Sequence, residues 1–297
     1  MSTAIDATSR LPIRSANLRQ AYDRALAGAL GAVFGLYLYV ELIHAEQVYV
    51  RDALAGLLIG GAIGFFLNAS APFRDGAWLK LGRLATWGTL AGAVGGAVGL
   101  VLGEVAIGVF QGGLLGRAVS WSILGIGIGV SQGLADRSRQ RLLFGLLGGG
   151  LGGLIGGYLF EWLRGAFGNN DTMGQGIGIV ILGAGLGLLL ALVEQALRRA
   201  WIQVLRGRQE GQAYLLAHKL SRVGLDERAE VGLFGDPGVA RQHAEIEATS
   251  DGYLLRTLAT GKITRVNGQD VKGSRLLKDG DRVELGQTLL LFRQRSH

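Results

Sequence analysis

Residues 236–246 read Asp-Pro-Gly-Val-Ala-Arg-Gln-His-Ala-Glu-Ile, and residues 277–286 read Leu-Lys-Asp-Gly-Asp-Arg-Val-Glu-Leu-Gly. Around them, short runs of alternating polarity are separated by glycine-bearing turns, a pattern typical of β-strands. The predicted strands are 214–216, 230–234, 243–248, 253–258, 263–266, 282–285 and 288–292. Many short strands within about a hundred residues predict a β-sandwich.

The motifs of this region resemble those of the forkhead-associated (FHA) phosphothreonine-binding domain. Gly224-Leu225 stands where the family has Gly-Arg, and residues 240–243 (Ala-Arg-Gln-His) stand where it has Ser-Arg-x-His. An Asn267-Gly268 turn and the Gly-Asp-x-x-x-x-Gly ending at 280–286 complete the series. The resemblance covers roughly residues 203–293. It implies two packed antiparallel sheets with recognition loops clustered at one end.

Three positions depart from the family pattern. Leu225 replaces the arginine that binds phosphate, Ala240 replaces the serine whose hydroxyl meets it, and Lys262 replaces the asparagine that contacts the peptide. A hydrogen bond to a charged group contributes about 1.5–3 kcal/mol. Losing the arginine and serine contacts therefore costs ~3–6 kcal/mol, or roughly two to four decades in affinity. The resemblance predicts a degenerate phosphothreonine site.

The family pattern also assigns expected roles to individual residues. Arg222, Arg241 and Lys262 could supply cationic donors to the recognition loops from other directions. For Arg241 the alternative is a solvated side chain or one that braces a turn. The expected partner-binding residues are Arg222, Leu225, Ala240, Arg241, Lys262 and Asn267. The expected structural residues are His243, Gly224 and Gly268, the last because an Asn-Gly pair suits positive φ angles.

The first two-thirds of the chain has the composition of membrane helices. Counting along the sequence, 39 of the 51 glycines precede residue 200, and charges are sparse between residues 25 and 195. Glycine is disfavoured in water-exposed helices, whereas membrane helices use it to approach each other closely. Each of the six apolar segments is long enough, or nearly so, to cross a bilayer. They lie at about 25–42, 53–70, 84–107, 114–134, 142–163 and 174–196.

Basic residues flank alternate ends of these segments. They precede the first span, separate the second from the third and the fourth from the fifth, and follow the sixth. Because positive flanks are retained in the cytoplasm, this pattern predicts that both termini are cytoplasmic. The expected location is a prokaryotic inner membrane, crossed several times.

Glycines recur at spacings of four within the predicted spans. The sets are Gly56/Gly60/Gly64, Gly95/Gly99/Gly103, Gly148/Gly152/Gly156 and Gly149/Gly153/Gly157. Each set lies on one helical face and predicts a groove for a neighbouring helix, or for a second copy in a homo-oligomer. Deep ionisable groups mark many transporters, and the candidates are Glu104 and Arg117, both near one end of a hairpin. A structural bundle is the favoured interpretation, and a channel or transporter is the alternative.

The expected domains are a cytoplasmic tail at 1–24, a six-helix membrane domain at 25–197, a connector at 198–208 and an FHA-like domain at 209–297. The chain has no cysteine and only four scattered histidines, so no catalytic, metal or cofactor site is predicted. The basic residues are explained by membrane flanks, so no nucleic-acid partner is expected. The predicted function is a non-enzymatic, membrane-anchored module that binds a cytoplasmic protein, with a phosphothreonine peptide a doubtful ligand. The alternative is a channel or transporter regulated by the FHA-like domain.

Overall fold

The protein divides into two compact units. The computed structural model describes residues 3–109, 113–136, 138–167 and 172–295, with side chains from residue 17 onward except for short stretches near helix ends. One unit comprises Met1–Gln20, Asp75–Lys80 and Arg198–His297. The other comprises Ala21–Arg74 and Leu81–Leu197.

Long apolar helices make up the second unit and extend beyond it at their ends. They are α1 (Thr3–Leu42), α2 (Val48–Asp75), α3 (Trp78–Val109), α4 (Gly113–Asp136), α5 (Arg139–Phe167) and α6 (Thr172–Leu197). Within the described residues, five of these helices contain a stretch long and apolar enough to cross a membrane. Helix α4 contains the shorter apolar stretch Ala118–Ser131. Large apolar side chains such as Val94 and Leu143 also lie exposed on the helix exteriors, as a lipid-facing surface requires. Helix α1 starts well inside the segment expected to be a polar tail.

Glycines let successive helices approach to backbone contact. A Cβ added to Gly56 of α2 would lie 2.1 Å from the carbonyl oxygen of Gly96 in α3. A Cβ added to Gly125 of α4 would lie 2.1 Å from the carbonyl oxygen of Gly149 in α5, and one added to Gly28 of α1 would lie 2.0 Å from that of Gly183 in α6. No side chain fits at these distances. The spacing-of-four glycines of α2 and α5 therefore face neighbouring helices of the same chain.

The interior of the helical unit is filled by apolar side chains. Ile63, Leu124, Leu182 and Leu186 have no exposed surface, and Trp121 packs on Phe160 with ring centroids 5.4 Å apart. An ion pair joins Arg24 of α1 to Glu194 of α6 at 2.6 Å. Glu104 is half-buried, whereas the side chain of Arg117 lies outside the described side chains.

Eleven short strands follow the helices in the described C-terminal region. They are β1 (Ala200–Arg206), β2 (Ala213–Leu215), β3 (Leu220–Gly224), β4 (Val231–Gly232), β5 (Ala244–Thr249), β6 (Gly252–Thr257), β7 (Thr264–Val266), β8 (Gln269–Asp270), β9 (Ser274–Leu277), β10 (Arg282–Leu285) and β11 (Thr288–Gln294). One sheet has the order β2-β1-β11-β10-β7-β8, and the other has the order β4-β3-β5-β6-β9. Side chains from both sheets, including Ile202, Leu233, Leu255 and Phe292, form one apolar core.

The mixed fold class predicted from the sequence is confirmed: apolar helices are followed by an all-β sandwich. Strand β1 is a difference in detail, because it lies in the segment expected to be a connector. Its residues pair along their length with β11, from Ala200 opposite Gln294 to Arg206 opposite Leu289. The local sequence does not reveal a pairing strand almost ninety positions away. The residues after Arg198 were therefore assigned to a basic connector beside the membrane and not to a strand.

Candidate partner-binding site

Three loops meet at one end of the sandwich, which we call the recognition end: residues 225–230, 235–243 and 258–263. The N–H groups of Leu225 and Asp226 donate to the carbonyl oxygens of Ala240 and Arg241 at 3.1 and 3.0 Å. The N–H groups of residues 258 and 259 both donate to the carbonyl oxygen of His243, at 3.0 and 3.2 Å. These backbone bonds fix the three loops against one another.

Gly224 allows the first two loops to approach. A Cβ at this position would lie 2.4 Å from the carbonyl oxygen of Arg241 and 2.8 Å from that of Ala240. Both obstacles are backbone atoms and cannot rotate aside. The glycine is therefore required by the same close approach that forms the loop-to-loop hydrogen bonds.

The two positions that should bind phosphate present apolar groups. Leu225 is half-buried and packs against the sandwich core. Ala240 offers only a methyl group, although its N–H donates to Nδ1 of His243 at 3.1 Å. Because Leu225 and Ala240 are joined by a backbone hydrogen bond, their side chains arise from one small region of the recognition end. Neither of these two side chains supplies a guanidinium or a hydroxyl.

Two expected cations do lie at the recognition end. Arg241 is 85% exposed, and its Nε lies 3.7 Å from a carboxylate oxygen of Asp226. The Lys262 ammonium donates to the carbonyl oxygen of Pro237 at 3.0 Å and so braces one loop against another. Large apolar side chains flank Lys262, because Leu258 and Ile263 are both exposed. The recognition end therefore combines the exposed cations Arg228, Arg241 and Lys262 with an apolar surface.

Arg222 and Asn267 lie outside the three loops, although the Arg222 N–H donates to a carboxylate oxygen of Glu230 in the first loop at 2.8 Å. Arg222 is exposed on the outer face of β3, opposite Glu245 of β5. Asn267 lies at the far end of β7, with φ of +53°, and forms a tight turn with Gly268, whose φ is +77°. Its side chain donates to Asp281 at 2.8 Å and accepts from the N–H of Arg282 at 2.9 Å. The Asn-Gly pair thus anchors the opposite end of the sheet.

His243 is fully buried within the recognition end. Its Nδ1 accepts the Ala240 N–H, so the ring is neutral with its proton on Nε2. Burial lowers the pKa of His243, an effect that the nearby Lys262 strengthens and that a backbone carbonyl at Ile263 opposes. The histidine is placed to hold the loop before β5 and not to titrate against a ligand.

Asp236 is a key residue of this end to which the sequence pattern assigned no role. One carboxylate oxygen accepts from the Gly238 N–H at 2.8 Å, and the other accepts from the Gln287 N–H and the Thr288 hydroxyl at 2.8 and 2.7 Å. Burial would raise the pKa of Asp236, but these hydrogen bonds outweigh burial and lower the pKa. The Asp-Pro-Gly sequence was a usable signal, since such an aspartate commonly bonds the N–H two residues on.

The described residues contain no cluster of three or more histidine or acidic side chains that could hold a metal ion. The arrangement of the recognition end can contact a polypeptide through apolar surface, backbone groups and Arg241. A membrane-anchored interaction module is the class of protein that this fold and this site define.

Residues 203–296 match the family described as "Inner membrane component of T3SS, cytoplasmic domain". The match covers 94 residues (203 to 296 inclusive) of 297. The matched segment coincides with the segment of about 203–293 that resembles FHA domains in sequence. The chain has no match among the curated proteins.

Three solved structures are similar to this segment. The FHA domain of FhaA, in complex with the intracellular domain of Rv3910, is 30% identical, with a TM-score of 0.29 over 32% of this chain and 99% of that one. The FHA domain of CT664 from Chlamydia trachomatis is 28% identical, with a TM-score of 0.31 over 33% and 99%. The cytoplasmic domain of the T3SS sorting platform protein PscD from P. aeruginosa is 23% identical, with a TM-score of 0.31 over 33% and 82%.

Proposed function

We propose that this protein is a non-enzymatic scaffold whose FHA-like domain binds a protein partner without requiring phosphate. The observation that carries the proposal is the chemistry around Leu225 and Ala240. Leu225 packs against the core, and Ala240 has no hydroxyl. The ammonium group of Lys262 donates to a backbone carbonyl. Neither Leu225 nor Ala240 can bind a phosphate through its side chain, whereas exposed Leu258 and Ile263 favour an apolar segment of a partner.

We propose that the helices act as a tether. Fully buried apolar side chains and backbone-to-backbone glycine contacts support this proposal, and the cavity between the helices that Arg24, Asn68, Arg141 and Glu194 line is small. The alternative, a channel or transporter regulated by the FHA-like domain, would require this interior to open. Homo-oligomerisation through the outer helix faces stays a prediction.

The proposed location is a bacterial inner membrane, crossed six times, with both termini in the cytoplasm. The match to an inner-membrane component family supports this location. Because the chain has no cysteine, orientation can be tested with Glu46→Cys and Ser250→Cys in intact cells. A membrane-impermeant thiol reagent should label position 46 directly and position 250 only after the cells are opened. The reverse pattern would exclude the proposed orientation.

Photocrosslinking in the source organism tests the binding function. A photoreactive residue replaces Arg241 or Ile263 at the recognition end, and Gln269 serves as the control at the opposite end of the sheet. The proposal predicts a protein adduct at the first two positions, absent at the third. Expression of a Ser/Thr phosphatase should leave that adduct unchanged. Loss of the adduct with the phosphatase would contradict phosphate-independent binding.

A further inference from the structure

The two residues that precede helix α3 have no side chain that could cap it. The residues before Trp78 are Gly76, with φ of +70°, and Ala77, which is 1% exposed. The first turn contains no acidic residue. The first four N–H groups of a helix have no acceptor within it, and a Ser, Thr, Asp or Asn at its start normally provides one. Ala77 cannot do so, and an acceptor has to come from water or from another part of the chain.

That acceptor is a carboxylate from the loop between β3 and β4. An oxygen of Glu227 accepts from the Leu79 N–H at 2.7 Å, across 148 sequence positions. A second bond lies close by in sequence, since the Gln212 side chain donates to Asp75 at 2.6 Å. All four residues belong to the same compact unit, which includes Asp75–Lys80. A negative charge at a helix N-terminus is also favoured by the helix dipole.

The same loop reaches the recognition end through its preceding residue. The Asp226 N–H donates to the carbonyl oxygen of Arg241 at 3.0 Å, and a carboxylate oxygen of Asp226 lies 3.7 Å from Nε of Arg241. Asp226 and Glu227 are adjacent in sequence. One short loop therefore contacts the candidate partner-binding arginine through one residue and the first turn of α3 through the next.

We propose that residues 75–80, here called the α2–α3 segment, are a built-in ligand of the β3–β4 loop, held by Glu227. Docking of this segment and the conformation of the recognition end are then energetically coupled. Such coupling acts in both directions, so a partner that draws Arg241 away from Asp226 weakens the Glu227 contact. The contact between Glu227 and the α2–α3 segment does not depend on the proposed function. Only its weakening by a bound partner rests on that function.

Cysteine crosslinking of the full chain in lipid nanodiscs tests the docking. Asp75→Cys and Gln212→Cys, joined by a short bifunctional thiol reagent, report the distance between the segment and the sandwich. Glu227→Gln removes the charge that caps α3, and Glu210→Gln makes the same charge change at an exposed site two residues from Gln212. We expect efficient crosslinking that falls several-fold with E227Q and stays constant with E210Q.

A second cysteine pair controls for folding and reagent. Residues 265 and 270 face each other on β7 and β8, so Arg265→Cys with Asp270→Cys should crosslink equally in every background. A segment that fails to crosslink while this control pair reacts would overturn the docking. A yield that E227Q leaves unchanged would overturn the role of Glu227.

Hydrogen exchange tests the link to the recognition end. The Leu225 and Asp226 amides, which donate to residues 240 and 241, should exchange several-fold faster in E227Q than in E210Q. Unchanged exchange would overturn the coupling. Neither failure would affect peptide binding by the recognition end, so both are distinguishable from failure of the proposed function.

Discussion

Restoring the two missing phosphate-binding side chains should convert this domain into a phosphothreonine binder. The double variant Leu225→Arg/Ala240→Ser places a guanidinium and a hydroxyl on residues whose backbones are hydrogen-bonded at 3.1 Å. If each forms one charged hydrogen bond at about 1.5–3 kcal/mol, the gain is ~3–6 kcal/mol, or about two to four decades in Kd.

The substitution also has a stability cost. Leu225 is half-buried against the core, and removing part of that contact costs about 1–2 kcal/mol. A thermal melt of the double variant therefore accompanies the binding assay, to show that the domain remains folded. The single variants provide matched controls, because each should give only part of the gain.

Fluorescence anisotropy with a phosphothreonine-centred degenerate peptide library measures the gain, and the same library with unmodified threonine serves as the reference. Wild-type protein should not distinguish the two libraries, whereas the double variant should prefer the phosphorylated one at least tenfold. A folded double variant without this preference would refute the assignment of these two positions to the phosphate site. Strong preference by the wild type would refute the degenerate-site interpretation.

Three further predictions concern stability. Gly96→Ala should destabilise the helical unit by several kcal/mol, because the new Cβ would lie 2.0 Å from a backbone oxygen. Gly82→Ala, where the new Cβ has no neighbour within 4 Å, should be neutral or slightly stabilising. Thermal melts of the two variants in nanodiscs compare them, and equal melting temperatures would contradict the close helix packing. Asp236→Ala should lower the free energy of unfolding by about 2–4 kcal/mol, because three donors lose their acceptor. Because the pKa of Asp236 is lowered in the folded protein, this stability is present above pH 3.8 and is lost as the pH falls through the folded-state pKa. An unchanged melting temperature at pH 7 would contradict this. Because the pKa of His243 is lowered in the folded protein, the unfolded chain binds the proton first, and stability should fall as the pH drops below 6.5. His243→Gln should weaken this fall. A variant whose stability depends on pH as the wild type's does would count against a buried neutral histidine.

The sequence predicted the sandwich but missed four of its strands, β1, β3, β8 and β9. Strands such as β5 and β10 lie between clear turns and alternate in polarity, so their boundaries were close to those observed. Strand β1 needed β11 to define it, and β8 has only two residues. Short or long-range strands carry no local signal, because their stability comes from pairing across the sheet and not from their own composition.

The candidate site was predicted in part for the same reason. Motif order grouped Leu225, Ala240 and Lys262, and these residues lie in loops at one end of the sandwich. Arg222 lies on β3, two residues before Gly224, and Asn267 follows the opposite end of β7. The contact of Glu227 with Leu79 spans 148 positions and leaves no trace in local sequence.

The most direct test compares one partner segment with and without phosphate. The segment recovered by crosslinking is synthesised with threonine and with phosphothreonine, and calorimetry measures its Kd for the full-length protein in nanodiscs. Phosphate-independent binding predicts two Kd values that agree within about threefold, both weakened by Ile263→Asp. A preference of about tenfold or more for the phosphorylated form, abolished by Arg241→Ala, would contradict it.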